Sequence, residues 1–289
     1  MLVHRTRTTV DDARLSVLSA GPTGGEPVLL LHGVPTGAEL WRETLRCLAA
    51  AGYWVLAPDL PGYGETRLPS TGDYSLDGAA DLLIRWLRRT GRPPLWVIGH
   101  DLGGGVAQIM AARMPGIFSA LTLCNTVVGD SWPVAPVRRL RLLARLRLYP
   151  ALARMGLVDS APIWYVLRRA FTQPQRDSDL RQRVFFDSIV HEPEGRRAFA
   201  AHLRALDPRQ TVAAIPHLRS VSAPVLLLWG LQDRYQPWES SGQRLQTLLA
   251  DPSVVLLPDA GHFVMLDQPE RFVDTLLTWR QSRASLLEN

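Results

Sequence analysis

Leu95-Trp96-Val97-Ile98-Gly99-His100-Asp101-Leu102-Gly103-Gly104 is the stretch on which the reading of this chain turns. Its four leading apolar residues form a short buried strand, and a helical pattern from Gly104 to Met114 begins directly after the glycines. Between strand and helix the spacing is Gly-x-nucleophile-x-Gly, a sharp turn that thrusts its central side chain outward and leaves the next backbone N–H free. A turn of this kind is strained and accepts only small neighbours, which Gly99, Gly103 and Gly104 supply. Its central residue is an aspartate, Asp101.

Outward from this turn, short apolar runs recur at Pro27 to Leu31, Tyr53 to Ala57, Ala120 to Leu123, Val225 to Trp229 and Val254 to Leu257, each reading as a buried strand. Helical spacing lies between them, at Leu76 to Thr90, Trp238 to Leu249 and Glu270 to Arg283. Alternation of this kind predicts an α/β fold, a mostly parallel sheet flanked by helices on both faces. From Ser131 to Pro216 the strand-like runs stop, and arginine- and leucine-rich helical segments take over. The domain expectation is therefore a core of residues 1–130 and 217–289 with an inserted helical segment, 131–216.

Composition narrows the chemistry. All 32 basic residues are arginine, and a chain without lysine can hold neither a pyridoxal Schiff base nor a P-loop phosphate. Net charge is +5, yet the stretch from Ser131 to Gln210 has 15 arginines against 7 acids, so the rest of the chain is negative. Those arginines alternate with leucines as on the solvated face of an amphipathic helix, and no nucleic-acid motif accompanies them. Cys47 and Cys124 read as core thiols in a reducing compartment, and His191, His202 and His217 have no metal-ligand spacing. The first residues lack an apolar leader, and no run of about 18 apolar residues occurs. A cytoplasmic protein without cofactor, metal, nucleic-acid or membrane partner is the expectation.

Two further loops converge on the turn. His32-Gly33-Val34-Pro35 follows a strand, and its glycine lets the Val34 N–H point at Asp101, where with the Leu102 N–H it forms an oxyanion hole. Downstream, Asp233 follows the strand ending at Trp229, and Gly261-His262 follows the next strand. Nucleophile, acid and histidine thus come in the chain order Asp101, Asp233, His262. His32, His100 and Asp59 read as structural.

With these loops and Asp59-Leu60-Pro61-Gly62-Tyr63-Gly64, the chain resembles the α/β-hydrolase superfamily over nearly its whole length. Within it, the resemblance is to the aspartate-nucleophile branch, epoxide hydrolases and haloalkane dehalogenases. That resemblance implies Asp101 as nucleophile, His262 as the base that activates water, Asp233 as its orienting partner, and residues 131–216 as the helical cap; Asp130 is a rival acid, since some dehalogenases of the branch place that acid after the strand following the turn.

An aspartate nucleophile restricts the electrophile. Attack on an ester or amide carbonyl would give a reactive anhydride, whereas attack on a saturated carbon gives an alkyl ester that activated water can cleave. Epoxides and alkyl halides are such carbons, so a small apolar-to-amphipathic organic substrate is expected. Leu102 and Val34 stand where dehalogenases of the family often have tryptophan and asparagine donors to the halide. An epoxide instead needs an acid for its alkoxide, for which Tyr165, then Tyr149, then Tyr235 are candidates. Epoxide opening to a vicinal diol is the favoured expectation, with haloalkane dehalogenation, or a binding or cyclising protein on the same fold, as alternatives.

Overall fold

A computed structural model describes residues 1–91, 95–114, 116–172 and 178–285. Eight strands form one sheet: β1 (His4–Val10), β2 (Ala13–Ala20), β3 (Pro27–Leu31), β4 (Trp54–Pro58), β5 (Leu95–Asp101), β6 (Phe118–Thr126), β7 (Val225–Gly230) and β8 (Ser253–Leu257). Their spatial order is β1-β2-β4-β3-β5-β6-β7-β8. Strands β3 to β8 run parallel, and the six expected runs lie in them except for Tyr53, which precedes β4. The antiparallel hairpin β1–β2 was not read from the sequence. Arg5, Arg7 and Arg14 interrupt its apolar pattern, and its tight turn is made by Asp11 at φ 52°.

Between the strands lie α1 (Arg42–Ala50), α2 (Leu76–Thr90) and α3 (Leu102–Arg113). Ser75 caps α2 by accepting from the Gly78 N–H at 3.1 Å, and left-handed Gly91 ends it. Chain order fixes the layers. From β3 the chain steps to β4 on one side, then returns across β3 to β5, and right-handed crossovers place α1 and α2 on opposite faces. The loops after β3 and β5 diverge at that reversal, opening a crevice at the carboxyl ends of the strands. His32 to Pro35 and Asp101 border this crevice.

Between β6 and β7 come α4 (Ala135–Arg145), α5 (Tyr149–Arg154), α6 (Ala161–Leu167), α7 (Ser178–Arg181) running into a π-helical stretch Gln182–His191, α8 (Pro193–Ala205) and α9 (Arg209–Leu218). Helix α9 packs on α3 beside α2, which puts it in the core layer. Helices α4 to α8 make up the rest of the segment inserted between β6 and β7. Trp132 Nε1 donates to Thr211 Oγ1 at 2.8 Å, joining the start of that segment to α9. After β7, a π-helical turn Trp238–Gly242 leads into α10 (Gln243–Leu248), and α11 (Val264–Asp267) and α12 (Pro269–Ser285) follow β8. Cys124 is buried in β6, whereas Cys47 is only partly covered on α1, so the core-thiol expectation holds for the first alone.

Candidate active site

Strand β5 ends in the strain that its sequence foretells. Asp101 has φ 48° and ψ −121°, a conformation that L residues adopt only where the surroundings impose it. A Cβ on Gly99 would lie 2.6 Å from the Gly104 Cα, so the turn cannot close with any larger residue there. A Cβ on Gly33 would meet Asp101 Oδ2 at 2.4 Å, which is how closely the β3 loop approaches. Across that contact the Val34 N–H donates to Asp101 Oδ2 at 2.9 Å.

Beside β5, the pairing with β6 slips by one residue, and Asn125 is the residue left over, at φ 41°. Such a bulge re-aims a side chain, and asparagine tolerates the left-handed conformation. Asn125 Nδ2 donates to Asp233 Oδ2 at 2.8 Å and to the Gly230 carbonyl at 3.2 Å, while its Oδ1 accepts from the Gly230 N–H at 3.0 Å. This residue escaped the sequence reading. A lone asparagine at a strand end has no signature until the register slip is known.

Asp233 accepts four hydrogen bonds. Oδ2 takes His262 Nδ1 at 2.8 Å besides Asn125, and Oδ1 takes the backbone N–H groups of Tyr235 at 2.7 Å and Gln236 at 3.0 Å. Burial alone would raise its pKa, but His262 and these donors outweigh it and hold the carboxyl below the ordinary value. For His262, burial alone would lower the pKa, yet the charge and hydrogen bond of Asp233, with Asp101, carry it above the ordinary imidazole value. Burial raises the Asp101 carboxyl, opposed by His262 and by the Val34 and Leu102 N–H groups. With Nδ1 bonded to Asp233, His262 has Nε2 for proton transfer. Its own N–H donates to the Ala170 carbonyl at 2.8 Å, tying the histidine loop to the inserted helices.

The rival acid stands elsewhere. Asp130 is exposed and pairs with Arg244 at 2.6 Å. The other buried histidines are neutral and packed: burial holds His32 at about 4, where Nε2 accepts from the Leu60 N–H at 2.9 Å, and pushes His100, 4.6 Å from the His262 ring, well below the usual value.

A cavity of about 340 Å³ lies over Asp101 and His262. Its walls come from the inserted helices and the loop after β6, among them Trp132, Leu140, Phe186 and Phe199. Polar side chains are few in this lining: Arg139, Tyr235 and Gln236 besides Asp101 and His262. The leaving-group candidates separate accordingly. Tyr165 is 49% exposed beneath Arg168 and Arg169, and its neighbours Val166 and Leu167 line the cavity in its place. On a short helix, adjacent residues point about 100° apart, so the sequence of α6 does not say which of them faces the cavity. Tyr149 is fully buried and donates to the Ile189 carbonyl at 2.8 Å, outside the lining. Tyr235 does line the cavity, with its ring edge-on to His262 at 5.6 Å and its hydroxyl donating to the Val166 carbonyl at 2.9 Å.

Residues 28–275 match the model of the alpha/beta hydrolase family. Among relatives, "Putative carbamate hydrolase RutD" of Variovorax paradoxus (strain S110) is 30% identical over 261 residues, 89% of this chain and 92% of that protein. "Haloalkane dehalogenase 2" of Mycobacterium tuberculosis (strain ATCC 25618 / H37Rv) is 28% identical over 276 residues, 88% of this chain and 87% of that one. Among solved structures, an alpha/beta hydrolase fold protein from Burkholderia ambifaria superposes with a TM-score of 0.79 at 27% identity, covering 95% of this chain and all of that one. Sheet order, loop positions and family match agree: the chain belongs to the alpha/beta hydrolase family.

Proposed function

We propose that this hydrolase opens an epoxide to a vicinal diol in two steps through an ester on Asp101. The observation that carries the reading is the Asp101 carboxylate itself, with one oxygen on the Val34 N–H and the His262–Asp233 pair alongside. Because Oδ2 is held by that N–H, Oδ1 is the oxygen that attacks the saturated carbon, and the ring C–O bond breaks as the ester bond forms. Tyr235 protonates the departing alkoxide by turning its O–H away from the Val166 carbonyl. His262 Nε2 then takes a proton from water, the hydroxide adds to the Asp101 carbonyl carbon, and the Val34 and Leu102 N–H groups stabilise the oxyanion on Oδ2. As the intermediate collapses the ester C–O bond breaks, protonated His262 gives its proton to the departing diol oxygen, and the proton left on the Asp101 carboxyl returns to the Tyr235 phenolate, restoring the carboxylate.

A second reading, release of halide from a haloalkane, is favoured by Gln236 and by the dehalogenase relative. Gln236 Oε1 accepts from Ser131 Oγ at 3.0 Å and from Ser241 Oγ at 2.8 Å, which assigns its N–H donors to the other side of the amide. In a cavity so apolar, N–H donors are what a halide requires. A carbamate is disfavoured, since a carboxylate attacking a carbonyl yields an anhydride.

One panel of epoxides and haloalkanes, read separately for diol and for halide, decides between the two. Single turnover in ¹⁸O water tests the shared mechanism. Product oxygen from the enzyme and label appearing in Asp101 is the expected result, and label passing directly into product excludes the ester. Asp101→Ala abolishes turnover, and His262→Gln accumulates the ester adduct. Tyr235→Phe slows epoxide alkylation about 100- to 10000-fold, the range of general acid catalysis.

A further inference from the structure

The inserted helices carry a surface that the chemistry does not use. Between residues 131 and 172 the chain has eight arginines and one acid, Asp159. Among the described residues, seven of the eleven exposed large apolar side chains lie between Leu142 and Tyr165, with Leu146 at 58% and Met155 at 70%. Helical spacing groups them. At 100° per residue, Arg138, Arg139, Leu142, Arg145 and Leu146 share an arc of about 120° on α4 and just past its end. All five are exposed, while Val137 and Ala144 on the opposite side are buried. No ion pair among the described residues involves Arg139, Arg145, Arg147 or Arg154.

This face surrounds the way in. Of the residues lining the cavity over Asp101, Arg139 and Ile163 are the exposed ones, so they mark its mouth. Exposed leucines interleaved with unpaired guanidiniums fit an anionic bilayer surface, whose phosphates pair with arginine while the headgroup–acyl boundary takes the leucines. A second copy fits worse, because a two-fold contact through this face would set its arginines against themselves.

We propose that this face docks on an anionic lipid surface and draws apolar substrate from it through the mouth between Arg139 and Ile163. No helix among the described residues is long and apolar enough to cross a membrane, so the contact is peripheral, and it revises the expectation that no membrane is a partner. The substrate clause rests on the proposed hydrolase function; the docking clause does not.

Cosedimentation with vesicles tests docking without any substrate. The protein binds phosphatidylcholine vesicles containing phosphatidylglycerol and leaves pure phosphatidylcholine vesicles unbound. Arg145→Gln with Arg147→Gln weakens binding about 25-fold, roughly fivefold per arginine near the surface. Leu142→Gln with Leu146→Gln weakens it about tenfold at unchanged charge, because insertion is lost. Circular dichroism and the melting midpoint verify that both pairs fold. Absence of binding to the mixed vesicles overturns the proposal, as does binding that the leucine pair leaves intact. A dimer dispersed by the leucine pair, without vesicle binding, assigns the face to a contact between copies instead. An inactive enzyme that still binds vesicles refutes the hydrolase reading alone.

Discussion

Asp101 and His262 raise each other's stake in pH. In the proposed mechanism His262 must be neutral to accept a proton from water, so ester hydrolysis is lost as pH falls through its pKa, which against burial the charge and hydrogen bond of Asp233 carry above the ordinary imidazole value. Asp101 needs only to be ionised, and it attacks down to its own pKa, raised by burial from 3.8. Between the two, wild-type enzyme accumulates the alkyl ester, which quenched-flow mass spectrometry of the Asp101 peptide detects. Esterification also removes the Asp101 charge that helps hold His262 up, so the hydrolytic limb falls below the imidazole pKa of the free enzyme found by NMR titration. Coincidence of the two would show that Asp101 stays ionised during hydrolysis. Asn125 positions rather than reacts. Asn125→Gly keeps the backbone conformation but strips Asp233 of a buried donor, and the expected cost of about 1–3 kcal/mol appears as a hydrolytic step slowed about 5- to 150-fold. Unchanged single-turnover hydrolysis would remove Asn125 from the site.

Three elements meet at Asp59. It accepts from Arg5 Nη1 on β1 at 2.6 Å, from the Ala38 N–H after β3 at 2.8 Å and from the Glu65 N–H after β4 at 3.0 Å. Burial alone would raise its pKa, but Arg5 and the backbone donors carry it below the ordinary value. Its folded pKa being depressed, Asp59 contributes stability that is full above the unfolded carboxylate value and lost as pH falls through the folded one. Asp59→Ala leaves the Ala38 and Glu65 N–H groups without their acceptor, at a cost of about 1–3 kcal/mol each, while Arg5 keeps Glu39 and Ser16. Chemical denaturation of the variant measures this. A loss within error of zero would show that water replaces the carboxylate freely. Because the Ala38 turn continues the Val34 loop, the variant also loosens the proposed oxyanion hole, and its residual activity is expected to fall below its folded fraction.

At the scale of the whole molecule, the loops of the sheet carry Asp101, Asp233 and His262, and the inserted helices wall the cavity over them. Val158 lies in the wall of the cavity between α5 and α6, so Val158→Phe fills part of the 340 Å³ and raises KM for the bulkiest substrates about tenfold. The smallest substrates keep their kcat, and an equal loss across the series would mean that the ring distorts Asp101 instead. The parallel sheet, the Asp101 turn and the loops bearing Asp233 and His262 were legible because each depends on local chemistry: buried apolar runs, glycines that a close approach demands, and chain order. The β1–β2 hairpin was not, since arginines such as Arg5 broke its apolar pattern and serve partners far away in sequence. Asn125 entered only through a slip in register between neighbouring strands. Sequence offered three tyrosines for the leaving group and could not tell which of them lines the cavity, because whether a side chain on a short helix faces a cavity or solvent depends on how that helix is rotated against its neighbours. Local sequence determined the Asp101 turn, the Asp233 and His262 loops and the strands that carry them; packing of the inserted helices alone turned Tyr165 outward, locked Tyr149 on a backbone carbonyl and left Tyr235 beside His262.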